Sequence, residues 1–178
     1  MKIRCLVLLL ITILYSCNHP ESKEFENNTT INSVMNEEVE NTSSFFFVTK
    51  VIDGDTFFCV NDKKEEFKIR LIGIDTPEIR NYAKKKKGYY GEEAKSYLAS
   101  LILNQKVKLE YDLDKYDQHN RVLAYVYLDD TFINAELVKN GFARIMTIQP
   151  NSKYSDMFYE LQVDARENNL GLWKVEEY

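Results

Sequence analysis

Four charged side chains between positions 55 and 78 have types and spacing that suit phosphate chemistry. Asp55, Asp75 and Glu78 supply carboxylates, and Arg70 supplies a guanidinium inside the apolar run IRLIGI. Hard divalent cations bind carboxylate and carbonyl oxygens together with water, so Asp55, Asp75 and the Thr76 carbonyl could form a weak, hydrated metal site. The guanidinium fork matches the oxygens of a phosphate group. Together these residues indicate metal-assisted chemistry at a phosphate.

Each of these residues also has an ordinary explanation when it is considered alone. Asp53-Gly54-Asp55 could simply make a solvated turn, and Arg70 could form a structural ion pair with an acidic side chain. Pro77 fixes its own φ angle and pushes Thr76 towards extended geometry. The Thr76 carbonyl and the neighbouring carboxylates are therefore held in a restricted arrangement.

A second arginine strengthens the chemical interpretation. Arg121 opens the apolar run RVLAYVYL and could bring another guanidinium to the same site, although alone it is an ordinary charge at the edge of a strand. Phosphodiester hydrolysis needs positive groups that oppose the charge of the transition state and a base that activates water. Two arginines, two metal-binding acids and the additional Glu78 meet those needs as a set.

The elements that must position these side chains begin at Phe45. Two β-rich runs, FFFVTKVI and TFFCV, flank Asp53-Gly54-Asp55 and predict a hairpin, and EEFKIRLIGI predicts a third strand. Apolar residues from Ala94 to Ile102 recur at helical spacing and predict a helix that starts near Gly91. KVKLEYDL and RVLAYVYL predict two further strands, NAELVKNG a short helix, and the residues from Tyr154 to Ala165 a last helix.

This order of elements is that of an OB-like barrel. We therefore predict an α+β, mostly β fold: a five-stranded OB-fold barrel with about three helices. The three cysteines of the chain are too few for a disulfide scaffold. Cys59 lies in the strand-like run TFFCV, so we expect a buried, apolar thiol with no redox role.

The N-terminal region has the features of an export signal. Lys2 and Arg4 precede an apolar run that is too short to span a bilayer comfortably. The sequence LYSC resembles the bacterial lipobox, so we predict a lipoprotein signal peptide over residues 1–16 and lipidation of Cys17. An ordinary cleaved signal, which would give a secreted protein, and an uncleaved anchor are the alternatives. The predicted location is the cell envelope, with the exported chain anchored in the membrane.

Residues 17–44 are predicted to be a disordered tether, because they are polar and lack sustained periodicity. The folded domain is then predicted to occupy residues 45–178. A net charge of −5 would ordinarily argue against a polyanionic partner. Residues 17–44 hold six Glu and one Lys, so they carry most of that charge, and the predicted domain is close to neutral.

A basic and aromatic segment lies before the first predicted helix. Lys84 and Lys85 begin a run of four lysines, and Tyr89 and Tyr90 follow it. The lysines are candidate contacts to a nucleic-acid backbone, and the tyrosines could stack on bases. A solvated loop is the alternative.

Three motifs in order, VIDGDT, IRLIGIDTPE and NRVLAYVYL, followed by GLW, resemble those of the staphylococcal nuclease, or thermonuclease-like, family. The resemblance covers residues 46–173 and implies an OB barrel with three helices. It implies that Asp55, Asp75 and the Thr76 carbonyl bind calcium, and that Glu78 positions or deprotonates the attacking water. It also implies that Arg70 and Arg121 bind the phosphate and stabilise the transition state. Asp53 resembles the supporting acid.

The chain departs from the family pattern at two places. Residues 117–121 read DQHNR where many relatives have an Asp-Arg-Tyr-Gly-Arg-like run, which places His119 at the Tyr position. His119 is a candidate for hydrogen bonding to a phosphate or for stacking, with a solvated loop histidine as the alternative. Asn120 can replace Gly because it tolerates left-handed geometry. Residues 144–150 lack the tyrosines that line the family's nucleotide pocket.

These features predict an enzyme, a calcium-dependent nuclease of the endonuclease type that hydrolyses DNA and RNA with little sequence preference. We expect it to be a monomer anchored to the envelope membrane through its lipidated N-terminus. The alternative is a catalytically weak or inactive OB-fold lipoprotein that binds nucleic acid or protein. A third hypothesis is a lipoprotein that uses an OB barrel to bind carbohydrate or protein of the envelope. The joint presence of two arginines, two metal-binding acids and a spare glutamate favours the nuclease.

Overall fold

The fold is built around a barrel of β-strands. The computed structural model describes residues 45–79 and 89–174 of the chain. Its elements are β1 (Phe45–Asp53), β2 (Thr56–Val60), β3 (Glu66–Leu71), β4 (Ile74–Asp75), α1 (Gly91–Ile102), β5 (Lys106–Glu110), β6 (Val122–Leu128), β7 (Thr131–Phe132), α2 (Ile133–Lys139), β8 (Arg144–Ile145), α3 (Ser155–Glu167) and a 3₁₀ turn (Gly171–Trp173).

Five strands close into the barrel. The sheet order is β3-β2-β1-β5-β6, and β6 pairs in parallel with β3 from Ile69↔Val122 to Leu71↔Ala124. The β1–β2 hairpin closes at the Asp53↔Thr56 pair, as the turn sequence predicts. Alternate residues of each strand, including Phe57 of β2, point into the apolar core. The predicted fold class, a five-stranded OB barrel with three helices, is confirmed.

The helices cover the barrel with their apolar faces. The α1 helix starts at Gly91, as predicted, and buries Ala94, Leu98 and Ile102 at helical spacing. The α3 helix buries Phe158, whose ring centroid lies 6.4 Å from that of Tyr125 in β6.

The third predicted strand is interrupted, which is a difference from the sequence prediction. EEFKIRLIGI was expected to be one strand, but β3 ends at Leu71 and the chain turns at Ile72-Gly73 before β4. Gly73 has a φ of 80°, and a Cβ atom there would lie 2.7 Å from the Phe158 ring, so only glycine fits. After the turn, Asp75 of β4 pairs with Arg144 of β8. Arg70 therefore lies in the strand before the turn and Asp75 in the strand after it, and both side chains line the same cavity.

Several predictions concern residues outside the described part of the chain. These are the signal peptide over 1–16, lipidation of Cys17, the tether over 17–44, and the contacts of Lys84 and Lys85. Within residues 45–79 and 89–174, no helix combines the length and apolarity needed to cross a membrane.

Cys59 is fully buried in β2, as the sequence predicts. Burial, together with the nearby Glu66 carboxylate, raises the pKa of its thiol to about 12. Since the thiolate is the reactive form, we expect iodoacetamide at about pH 8 to leave Cys59 unmodified in the folded chain and to alkylate it in denaturant. Mass spectrometry of the peptide that contains Cys59 measures both states. Rapid alkylation of the folded chain would contradict this expectation.

Candidate active site

A cavity of about 740 Å³ lies at the end of the barrel where β1 turns into β2 and where β3 ends. It collects most of the side chains that the sequence singles out. Its walls include Asp53, Asp55, Arg70, Asp75, Glu78, His119 and Arg121. The strand register explains this convergence, because Thr56 of β2 is the direct partner of Arg70 in β3. The DGDT and IRLIGIDTPE motifs therefore meet although they are separate in sequence.

Arg70 is buried at the floor of this cavity and is held by oxygen atoms on several sides. Its Nη1 donates to the backbone carbonyls of Leu71, at 2.9 Å, and Ile74, at 2.8 Å. Nη1 also lies 3.2 Å from Asp55 Oδ2, and Nη2 lies 3.4 Å from Asp75 Oδ1. The ion pairs of the ordinary interpretation are thus present, and they border an open cavity. These contacts fix the direction of the guanidinium before any ligand arrives.

Asp55 is buried beside Arg70 and is bound by Thr76. Its Oδ2 accepts hydrogen bonds from the Thr76 backbone N–H, at 3.0 Å, and from the Thr76 hydroxyl, at 3.2 Å. Its Oδ1 accepts the Thr56 hydroxyl at 2.9 Å. A Cβ atom at Gly54 would lie 2.8 Å from both Thr76 and Ala94, so the glycine lets the hairpin turn approach them. Thr76 is buried behind Asp55 and holds it in place.

Asp75 receives positive charge from two sides. Arg70 contacts its Oδ1, and Arg144 Nη2 lies 3.6 Å from its Oδ2. The Arg144 side chain is half exposed, whereas that of Arg70 is buried. Cross-strand pairing of β4 with β8 brings Arg144 opposite Asp75, a long-range contact that the sequence alone did not reveal. Arg144 is therefore an additional cation at the rim of the site.

Arg121 is oriented by Asp117. The Arg121 Nε donates to Asp117 Oδ2 at 2.7 Å, Nη2 lies at the same distance from that oxygen, and Nη1 reaches the Thr56 hydroxyl at 3.5 Å. Burial by itself would raise the pKa of Asp117, but hydrogen bonds from Arg121 and His119 outweigh it and hold that pKa below its usual value. Asp117 thus stays ionised and keeps the second guanidinium at the cavity wall.

The departure from the family pattern around His119 is accommodated locally. Asn120 has a φ of 57°, which confirms the predicted left-handed geometry. The backbone N–H of His119 donates to Asp117 Oδ1 at 2.9 Å, and its side chain is exposed at the cavity edge, 3.5 Å from the Gln118 amide. The imidazole is therefore open to a ligand at this edge.

Asp53 and Glu78 complete the acidic wall. The Asp53 carboxylate accepts the Asp55 backbone N–H at 3.3 Å. Burial, together with the neighbouring Asp55 charge, raises the pKa of Asp53 to about 6. Glu78 follows Pro77 and lies at the cavity wall with partial exposure. Its position at the edge contrasts with the buried Arg70 and Asp55.

Tyr89 and Tyr90 do not line the cavity, and they directly precede Gly91, the first residue of α1. A Cβ atom at Gly91 would lie 2.8 Å from the Pro77 carbonyl oxygen and 2.9 Å from that of Glu78. The start of α1 therefore packs directly on the backbone that carries Glu78. The two tyrosines therefore directly precede a contact with the backbone of the cavity wall, but neither of them lines the cavity.

Some residues that line the cavity, or that contact a residue of its wall, were not predicted from the sequence. They are Asp117, which positions Arg121, Arg144, which contacts Asp75, and Asn151, which accepts the Asp114 backbone N–H at 2.8 Å and donates to its carbonyl. The i,i+4 spacing of Asp117 and Arg121 was an available signal. Arg144 and Asn151 offered none, since their partners lie far away along the chain.

Comparisons with known proteins agree with this arrangement. Residues 68–175 match the family model described as staphylococcal nuclease homologue. The chain is 38% identical over 129 residues to a thermonuclease of Staphylococcus intermedius, covering 72% of this chain and 76% of that protein. It is 38% identical over 126 residues to a thermonuclease of Staphylococcus hyicus, covering 71% and 73%. Endonuclease YncB of Bacillus subtilis is 34% identical over 131 residues, or 72% of this chain and 61% of its own length. Because the family match spans more than half of a chain that has the barrel and the paired arginines and acids, this protein belongs to the staphylococcal nuclease family.

Proposed function

We propose that this protein is a hydrolase, a calcium-dependent nuclease that cleaves phosphodiester bonds in DNA and RNA with little sequence preference. The observation that carries the proposal is the convergence of Arg70, Arg121, Asp55, Asp75 and Glu78 on one cavity. The thermonuclease and endonuclease names of its relatives support the same activity. The cavity volume of about 740 Å³ is in the range that accommodates a nucleotide-sized ligand.

The two guanidinium groups are suited to the phosphate. Arg70 is fixed by two carbonyls and two carboxylates, and Arg121 is fixed by Asp117. A guanidinium that is already oriented stabilises a transition-state charge without further reorganisation. Glu78 at the cavity wall would accept a proton from the attacking water, so that the hydroxide forms next to the phosphate.

The residues present fit a weakly bound hard cation. Among the described residues that line the cavity, six are acids, Asp53, Asp55, Asp75, Glu78, Asp114 and Asp117, and two are arginines, so these residues alone would repel an anionic substrate without added positive charge. Asp55, Asp75 and the Thr76 carbonyl would hold calcium together with water. Among the described residues, no group of three or more His, Cys, Asp or Glu side chains is placed to hold a metal ion. When bound, the ion supplies charge that stabilises the transition state and lowers the pKa of water.

Calcium dependence can be tested on the full-length chain with single-stranded DNA, duplex DNA and RNA. We expect chelation to abolish cleavage of all three, and Asp75→Asn to raise the calcium concentration for half-maximal activity roughly 10–100-fold, since a ligand is lost. Asp130→Asn, at an exposed acid in the turn after β6, is the matched control and should behave like the unmodified chain. Binding of nucleic acid without cleavage would instead support the inactive binding module.

Location and assembly are also part of the proposal. The apolar N-terminal run and the lipobox-like LYSC support export and anchoring in the cell envelope through Cys17, with secretion as the alternative. Outside the cytoplasm, calcium is abundant enough to fill a weak site. We further propose that the protein acts as a monomer. Labelling with radioactive palmitate, lost in Cys17→Ala, would test the anchor.

A further inference from the structure

A line of four aromatic rings begins in the segment just before α1, whose first residue, Gly91, packs on the backbone of Glu78. The ring centroids of Tyr89 and Tyr90 are 5.6 Å apart, those of Tyr90 and Phe142 are 5.5 Å apart, and those of Phe142 and Tyr97 are 4.1 Å apart. The inner rings are stacked, with an interplanar angle of 13° between Tyr97 and Phe142 and 28° between Tyr90 and Phe142. We call Tyr89, Tyr90, Phe142 and Tyr97 the aromatic ladder.

The ladder is rigid at its inner end. Tyr97 and Phe142 are partly buried and pack against the apolar core, and Asn140 donates a hydrogen bond to the Tyr97 hydroxyl at 3.2 Å. Tyr90 has a φ of 72°, a left-handed conformation that is uncommon for a bulky residue. In this conformation the Tyr90 ring stacks on Phe142. The position of the ladder is therefore set by the fold.

The outer end of the ladder is exposed to solvent beside the site. Tyr89 is 58% exposed, so packing in the core does not account for its position. Gly91, which follows Tyr89 and Tyr90, packs on the carbonyls of Pro77 and Glu78, in the segment that carries the proposed general base. The exposed ring thus lies two residues before a position that packs on the backbone of Glu78, a residue of the cavity wall.

We propose that Tyr89, supported by the rest of the ladder, is a stacking subsite for a nucleobase that lies outside the cavity, next to the phosphodiester that is cleaved. The proposal rests on the nuclease function proposed above. Every nucleobase has a π-face, so an aromatic platform binds single-stranded nucleic acid without regard to sequence. Four lysines precede Tyr89 in the sequence, as expected near a polyanionic backbone. The ligand class is a single-stranded oligonucleotide longer than the cavity can hold.

The subsite makes a testable prediction with abasic substrates. In the full-length chain, Tyr89→Ala should lower kcat/KM for a single-stranded DNA of about 12 nucleotides roughly tenfold, mainly through KM, because one base loses its stacking partner. Removing single bases along this oligonucleotide should reveal one position at which the unmodified chain loses a similar factor. Removing the base at that position should cause no further loss of kcat/KM in Tyr89→Ala. Tyr89→Phe keeps the ring and should keep the activity.

Tyr159→Ala is the matched control, since Tyr159 is 59% exposed on α3 and lies outside the ladder. It should leave kcat/KM for the intact oligonucleotide and the abasic pattern unchanged. Equal kinetics of Tyr89→Ala and the unmodified chain, or the same abasic penalty in both, would overturn the subsite while leaving the nuclease function intact. Absence of any cleavage by the unmodified chain would overturn the nuclease function, and the subsite with it.

Discussion

Replacing Arg70 with lysine is expected to lower kcat/KM for DNA cleavage by about 10²–10³-fold, the loss typical of removing one oriented donor to a transition-state charge. Lysine keeps the positive charge but lacks the planar fork that contacts two carbonyls and two carboxylates at once. The loss should therefore appear in kcat as well as in KM. Steady-state cleavage of single-stranded DNA at saturating calcium measures both constants.

The same side chain should matter for the stability of the fold. Arg70→Ala would leave Asp55 buried without its cationic partner and would leave the carbonyls of Leu71 and Ile74 without a donor. Removing one member of a buried ion pair costs about 3–5 kcal/mol of unfolding free energy. Urea denaturation of the full-length chain measures that difference, and Arg70→Lys should lose less because its charge remains.

Arg166→Lys is the control for the arginine exchange. Arg166 lies on α3 with its guanidinium 4.3 Å from the centre of the Trp173 ring, away from the cavity. That exchange should leave kcat/KM unchanged and should alter the unfolding free energy by less than about 1 kcal/mol. Wild-type kinetics in Arg70→Lys would show that Arg70 is a structural ion-pair partner and not a group that acts on the phosphate.

The barrel could be predicted from the sequence because its signals are local. Alternating apolar residues, the acidic turn at Gly54 and the helical spacing from Ala94 to Ile102 each depend on neighbours within a few positions. The break of the third strand at Gly73 was missed, since IRLIGI reads as one apolar run. What requires the break is Phe158, whose ring occupies the space beside Gly73 and lies far along the chain.

The site could be predicted only in part, for the same reason. The residue types of Arg70, Asp55 and Asp75 indicate a phosphate and a cation, and the structure brings all three together. Their orientation depends on partners that the sequence does not identify. Arg144 meets Asp75 only through the pairing of β4 with β8, and the role of Thr76 as a double donor to Asp55 depends on the packing of two loops. Long-range register determines both contacts.

Burial divides the cavity into a fixed floor and an accessible edge. Arg70, Asp55 and Thr76 are buried and hydrogen-bonded to one another or to the backbone, so a change there alters the fold as well as the chemistry. Glu78 and His119 lie at the edge with greater exposure. The residues of the floor would bind the charged phosphate and cation in a fixed geometry. The residues of the edge would contact water and the substrate strand. This division predicts that a substitution at Glu78 lowers activity without a matching loss of stability.

Replacing Glu78 with glutamine is therefore expected to reduce kcat by about 10²–10⁴-fold, the contribution of a positioned general base. Glutamine has nearly the same shape but cannot accept a proton from water. Because Glu78 is partly exposed, the free energy of unfolding should change by less than about 1 kcal/mol. Single-turnover cleavage and urea denaturation, run on the same preparation, measure the two quantities.

Two further variants distinguish a base from a binding group. Glu78→Asp keeps the carboxylate but shortens its reach, so its kcat should fall between those of the unmodified chain and Glu78→Gln. Glu93→Gln makes the same exchange at an exposed position in the first turn of α1 and should change neither rate nor stability. If Glu78→Gln raised KM and left kcat unaltered, Glu78 would be a substrate contact. The base would then have to be sought among the other acids of the cavity, such as Asp53, whose pKa is raised to about 6 by burial and by the neighbouring Asp55 charge.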